Sequence, residues 1–327
     1  MIPLHPPPPR IQTNGAIAWG RYNAAIADPN VSAPLWRLKE WQYHSIATDQ
    51  VFFAVGIVQL GYVANAFAYA VDLNNPKAFW EFEALLPLGI GVDFSQSSVA
   101  GQTSLAFGKQ QISVLCSEQG WQIQCELFSQ NQMIELDLAL HAAQDQSLAL
   151  VHAVGEGQVA YTHKLAGLCS SGSLVWQGKR FNLDGLATVD WTRSHAARVT
   201  RWKWASLVAR LPHGRRLGLN LSADVYDNSG ACSQENALWL DGCVQPLGKI
   251  LFVLPEHRDT QDWHLTGPDI DLTFTPMGAR RSDVDFGLVK SQFIQPFGVF
   301  NGQVHLCGTP IAVENAIGVV EDHLAVW

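Results

Sequence analysis

Residues 185–208 read GLATVDWTRSHAARVTRWKWASLV, and the fold turns on them. Leu186 to Val189 are strand formers that run into Asp190-Trp191-Thr192-Arg193. A short His-Ala-Ala connector follows, and then a second run that carries Trp202 and Trp204. Residues two apart on a strand point to the same side, so Trp202, Trp204 and Ser206 are expected on one face, with Arg201 and Lys203 on the other. Two strands joined in this way can surround one small volume with an acid, a guanidinium, an imidazole and three indoles. A pocket is expected there.

Working outward, short strand patterns recur about every ten residues. They are expected at 104–108, 111–116, 121–128, 133–140 and 147–154, and again at 158–165 and 174–176. Period-two patterns also mark Leu38 to Ile46, with Trp41, Tyr43 and Ser45 on one face, and the run from Leu217 to Val225. Later strands are expected at 262–266, 269–275, 288–294, 298–306 and 310–322. Hairpin turns are expected at Asp184-Gly185, Asp241-Gly242 and Asn301-Gly302. Amphipathic helices are absent from the pattern. Regular short strands without helices indicate an all-β protein, a sandwich or barrel. The expected organisation is an extended, proline-rich arm over 1–35 held by Trp19 and Trp36, a β lobe over 36–157, and a second β lobe over 158–327 that carries the central stretch.

Composition narrows the function. Of the 327 residues, 47 % are hydrophobic and only 15 % charged, and twelve are tryptophan. Most of those indoles are expected to be core. The net charge is −8, and the basic residues cluster only at Arg215-Arg216 and Arg280-Arg281, both read as solvated surface. That argues against nucleic acid, which needs a positive footprint. No run approaches the roughly 18 apolar residues of a membrane helix. The six cysteines form no C-x-x-C pair, and the eleven histidines no H-x-H or H-E-x-x-H spacing, so no metal is expected. The N-terminus lacks the apolar run of a signal peptide, which makes a cytoplasmic protein with free thiols the expectation. No P-loop, G-x-S-x-G or G-x-G-x-x-G is present, so no cofactor is expected. Nothing in the residues specifies an oligomeric state.

The candidate catalytic residues are Asp190, Arg193, His195 and Glu235. Asp190 with Arg193 reads either as a functional acid with its guanidinium and His195 for proton transfer, or as a structural ion pair. Trp191, Trp202 and Trp204 would wall an apolar ligand, with core packing as the alternative for two of the three. Glu235-Asn236 either caps a barrel with satisfied hydrogen bonds or adds polar groups to the pocket. Tyr43, Glu321 and His323 complete the binding candidates; Tyr43 reads also as structural, and Glu321 and His323, which share a strand face, as part of a charged strand edge. The ligand expected is a small apolar, unsaturated molecule. Either it undergoes cofactor-free hydration, isomerisation or cyclisation, or it is only carried. A weaker reading, a carbohydrate-active protein, would need paired carboxylates about 5 to 9.5 Å apart.

Several blocks together resemble a known family. They are Trp41-Gln-Tyr43 with Gly61-Tyr62, Asp190-Trp191-Thr192-Arg193, Thr200-Arg201-Trp202-Lys-Trp204-Ala205, Glu235-Asn236-Ala237 with Asp241-Gly242, and Gln295-Pro-Phe297-Gly298 through to Glu321-Asp322-His323 and Trp327. The chain is similar over nearly its whole length to the bacterial proteins grouped as domain of unknown function 2804. Glycine often follows the arginine of D-W-T-R in that pattern, where this chain has Ser194. More distantly, it is similar to the two-lobed lipocalin-like proteins that include carotenoid 1,2-hydratase and tocopherol cyclase. That resemblance implies two calycin-like lobes rather than a reaction.

Overall fold

The computed structural model describes residues 4–32, 37–155, 157–285 and 290–327. They form two strongly curled, antiparallel half-barrel sheets, with no α-helix among them. The first sheet has 14 strands and the second 9. The first runs from Phe79–Pro87 through Val63–Asp72, Val51–Gln59 and Lys39–Ala47 to Leu186–Ser194, then through Gln158–Trp176 to the hairpins at residues 92–141. The second is centred on Val199–Arg210, Thr309–Val326, Lys290–Leu306 and Ile270–Asp285.

The change of sheet falls in the connector 195–198, not at residues 157 and 158. Leu186–Ser194 is inserted between Lys39–Ala47 and Gln158–Trp176 in the first sheet, and Val199–Arg210 opens the second. Pairing across the sheet decided this, and a run of strand residues does not disclose its partner.

Two of the three expected hairpins are absent. Leu186–Ser194 does not pair with Lys179–Asn182, so Asp184-Gly185 only redirects the chain; Gly185 lies against the backbone of Ala47. Lys290–Leu306 runs straight through Asn301-Gly302 with a bulge. Gly302 is needed there because its φ is +141° and a Cβ would strike the backbone of Asp271. The turn comes later, at Cys307-Gly308. Asp241-Gly242 is a true two-residue hairpin with both φ values positive. The strand expected at 288–294 begins outside the described residues.

Each half-barrel has its own apolar core. Trp80, Trp121, Trp176 and the inward residues of the hairpins fill the first, and Trp263, Phe274, Phe300 and the leucines at 217, 219 and 221 fill the second. A third cluster joins the sheets face to face, with Tyr43, Phe52, Phe67 and Tyr69 from the first meeting Trp204, Val208, Phe297 and Val319 from the second. The N-terminal arm adds a short strand, Gly20–Tyr22, against residues 149–151. Ile11, Tyr22 and Ile26 hold it on Tyr161 and Trp191. Trp19 is exposed and does not anchor it; Trp36 lies outside the described residues. Among the described residues no helix is long and apolar enough to cross a membrane.

Candidate functional site

Alternation along Leu186–Ser194 sorts the central stretch into two faces. Val189, Trp191 and Arg193 face one side of the sheet with their cross-strand partners His44, Gln42 and Glu40. Asp190, Thr192 and Ser194 face the other side, toward the second sheet. There the two sheets enclose a cavity of about 620 Å³, a size that suits one drug-sized molecule. Asp190 and Ser194 line it, as do Trp41, Tyr43, Trp202 and Trp204.

Asp190 and Arg193 therefore do not meet. Three residues apart on a regular strand, they point to opposite faces. Arg193 instead pairs with Glu40 at 3.0 Å. Burial pushes the Glu40 carboxyl up to about 7, although Arg193 opposes the shift. His195 turns its Nδ1 to the carbonyl of Val159 at 3.2 Å and does not line the cavity. Burial also lowers its pKa. Trp191 is fully buried under the arm, with Tyr161 at 5.8 Å and Phe94 at 6.1 Å. It is a core residue and does not line the cavity. Asn236 is structural too: its Oδ1 accepts from Ser222 N and its Nδ2 donates to the carbonyl of Gly248.

The partner of Asp190 is Lys164, directly opposite it on Gln158–Trp176. Lys164 Nζ lies 2.6 Å from Asp190 Oδ1 and 3.4 Å from Glu235 Oε1, which comes from the turn just before Ala237–Leu240 of the second sheet. All three side chains are buried, and all three line the cavity. Thr192 Oγ1 donates to the same Oδ1 of Asp190 at 3.3 Å. Burial works against the Lys164 ammonium, but Asp190 and Glu235 outweigh it and its pKa is raised. Burial raises the Glu235 carboxyl, with Lys164 opposing and Asp190 adding to the shift. Tyr226 shares this wall, its phenol pushed far up by burial and by the two carboxylates. Lys164 escaped the sequence reading because a lone lysine in an apolar strand has no motif; its one signal was a charge inside the run HKLAGL.

The opposite wall belongs to the second sheet. Glu321 accepts from Trp202 Nε1 at 2.7 Å through Oε1 and from Gln295 Nε2 at 2.8 Å through Oε2. Tyr69 of the first sheet donates to Gln295 Oε1 at 2.9 Å. Trp202 is stacked parallel to Trp41, with ring centroids 6.2 Å apart, and the His323 ring lies 4.2 Å from it. Trp204 is more deeply set, donating to Asn220 and meeting Tyr43 edge-on. Arg280, read from sequence as solvated, is buried on this wall, where Glu81 and Glu83 hold it at 2.7 and 2.9 Å and Phe67 lies under its guanidinium. Arg216 is likewise paired, with Asp145. Neither arginine had a sequence signal, because their partners are far away in the chain.

Such a cavity can hold an apolar molecule against indole faces and present it to a buried line of proton-carrying groups, Glu235, Lys164 and Asp190. Among the described residues no three His, Cys, Asp or Glu side chains are grouped to hold a metal ion.

Comparison with known proteins agrees with this architecture. The family model described as "Domain of unknown function (DUF2804)" matches residues 9–327. Three solved structures share the two-sheet fold. Kievitone hydratase from Nectria haematococca is 14 % identical, with a TM-score of 0.53 and 88 % of each chain covered. An AttH-like protein from Nitrosomonas europaea is 14 % identical with a TM-score of 0.51, covering 87 % of this chain and 92 % of its own. CghA, solved with Sch210972, is 13 % identical with a TM-score of 0.50 and 88 % of each chain covered. No curated protein matches the chain.

Proposed function

For this chain, which belongs to the DUF2804 family, we propose an enzyme that acts on a small apolar, unsaturated molecule by cofactor-free acid–base chemistry: hydration, isomerisation or cyclisation. The observation that carries the reading is the buried Glu235–Lys164–Asp190 line on the wall of a Trp-lined cavity. One ammonium between two carboxylates balances only one of them. Burial raises the Glu235 carboxyl in the direction that favours a proton donor, with Lys164 opposing the shift. A proton supplied by Glu235 and relayed by Lys164 reaches Asp190, which delivers it to a bound double bond; the carboxylate charge this leaves is balanced by the substrate cation until the proton lost on completing the reaction returns to the line. The faces of Trp41 and Trp202 steady the cation that develops, and a water or an internal nucleophile completes the addition. Arg193, His195 and Trp191 lie off the cavity wall and serve the scaffold. The likeness to a hydratase, and to a protein solved with a small organic molecule, supports the substrate class.

The test uses whatever small molecule co-purifies, identified by mass spectrometry after denaturation. That ligand is returned to the protein in D₂O or H₂¹⁸O. Turnover through protonation or hydration places deuterium or ¹⁸O in the recovered compound. Asp190→Asn and Glu235→Gln are expected to slow incorporation at least about 100-fold, the scale of a lost general acid, while binding is retained. A ligand recovered unlabelled from the wild-type protein would make this a carrier.

A further inference from the structure

The acid–base line leaves one group of cavity residues unused. Ser291, His323 and Glu321 all line the cavity, on the wall facing Lys164. Register brings them together. On adjacent strands Phe293 lies opposite His323 and Ser291 opposite Ala325, so Ser291 is diagonal to His323 on the same face. Glu321 precedes His323 by two residues and shares that face. Ser291 Oγ is 2.9 Å from His323 Nε2, and His323 Nδ1 is 3.6 Å from Glu321 Oε1. Glu321 is fixed by Trp202 and Gln295, and the His323 ring is held between Trp202 at 4.2 Å and the edge of Phe293 at 5.1 Å. Hydroxyl, imidazole and carboxylate stand in the order that activates a serine, with His323 Nδ1 beyond hydrogen-bond reach of Glu321 and without another hydrogen bond among the described residues.

We infer that Ser291, His323 and Glu321 form a second reactive centre, a serine nucleophile that cleaves esters of apolar acids bound in the same cavity. The Glu321 carboxylate, 3.6 Å from Nδ1, favours the tautomer with its proton there, and in that tautomer Nε2 accepts the Ser291 proton. Ser291 Oγ forms a bond to the ester carbonyl carbon while His323 takes the hydroxyl proton. The C–O bond to the alcohol then breaks, and the alcohol leaves with that proton. Water attacks the acyl-serine through the same imidazole, releasing the acid and restoring the hydroxyl, while Glu321 stays a carboxylate throughout. Ser291 lies within a strand paired on both sides, so its amide belongs to the ladder and not to an oxyanion hole. The centre is therefore matched to activated esters rather than amides.

The inference is independent of the acid–base reading, because covalent acylation and isotope incorporation are separate signals. The full-length protein is treated with an alkyl fluorophosphonate, which forms an Oγ–P bond and loses fluoride, and the adduct is located by peptide mass. Hydrolysis of p-nitrophenyl butyrate is followed in parallel. One adduct is expected, on Ser291. Ser291→Ala should abolish it and lower ester hydrolysis at least 100-fold; His323→Asn should do nearly the same, and Glu321→Gln should slow both about tenfold or more. Folded wild-type protein with Ser291 unmodified, or hydrolysis undiminished in Ser291→Ala, would overturn the inference. Should a variant fail to fold, the adduct position in the wild-type protein decides alone.

Discussion

Lys164 holds its ammonium, nearly without solvent, between a carboxylate of its own sheet and one from the turn before a strand of the facing sheet. Removing one partner of a buried ion group costs about 3 to 5 kcal/mol, because the charge left behind has no substitute for water. Lys164→Met is expected to lower the melting temperature accordingly. The double change Lys164→Met with Asp190→Asn should recover part of the loss, and equal loss in both proteins would show that the three groups are not coupled. Glu40 gives a pH signature. Its carboxyl is shifted from 4.5 to about 7 by burial, so between those values the folded state holds a proton that the unfolded state releases. That contribution to stability is present at low pH and is lost as pH rises through about 7. His44 and His163 act in the opposite sense, since burial lowers both from 6.5 to about 3, and stability falls as the pH drops below 6.5. Comparison with Glu40→Gln cancels the histidines. From pH 5 to pH 8 the wild-type protein is expected to lose unfolding free energy relative to the variant, as measured by urea denaturation; parallel curves would refute it.

At the scale of the element, two strands joined by a four-residue connector do different work. Leu186–Ser194 is central in the first sheet and buried on both faces, while Val199–Arg210 starts exposed at its N-terminal end and becomes buried from Trp204 onward. Trp191 and Trp202 thus carry the same side chain in unlike settings, one fully buried in the core, the other half-buried on the cavity wall. Trp191→Ala should cost about 3 to 5 kcal/mol, the range for a lost core tryptophan. Trp202→Ala should leave the melting temperature nearly unchanged and weaken binding of an apolar fluorescent ligand such as 1-anilinonaphthalene-8-sulfonate. The reverse pattern would put the cavity elsewhere. The strand pattern was readable because alternation and turn residues are local. Its failures at Asp184-Gly185 and Asn301-Gly302 have one cause: glycine there answers a close backbone approach from another strand, which local sequence does not record.

At the scale of the molecule, polar clamps and one tight contact set the spacing of the two sheets. Lys164–Glu235, Tyr69–Gln295 and Arg280 with Glu81 and Glu83 cross between them around the cavity. Arg216 reaches from the second sheet to Asp145 and to the carbonyl of Gly167. Beside it Gly218 lies so close to the backbone of Ala166 and Gly167 that a Cβ has no room. Gly218→Val must push the sheets apart. It should cost about 1 to 3 kcal/mol, as overpacking does, and should reduce ligand binding together with stability. Binding that is unchanged at wild-type affinity would show that the cavity does not depend on this spacing.

The sequence by itself determined the all-β class, the positions of most strands, and the stretch that carries one wall of the cavity, because alternation, turn chemistry and composition act between neighbours in the chain. It also brought forward Asp190, Glu235, Trp202, Glu321 and His323 as candidates. Only the tertiary structure decided which of them meet. Asp190 faces Lys164 rather than Arg193, Glu235 arrives from the turn before a strand of the other sheet, and Ser291 comes beside His323, through pairings between residues 26 to 71 positions apart. The Glu235 carboxyl is shifted by burial at a place where Lys164 of the first sheet meets it. No single segment contains it, and so no single segment could announce it.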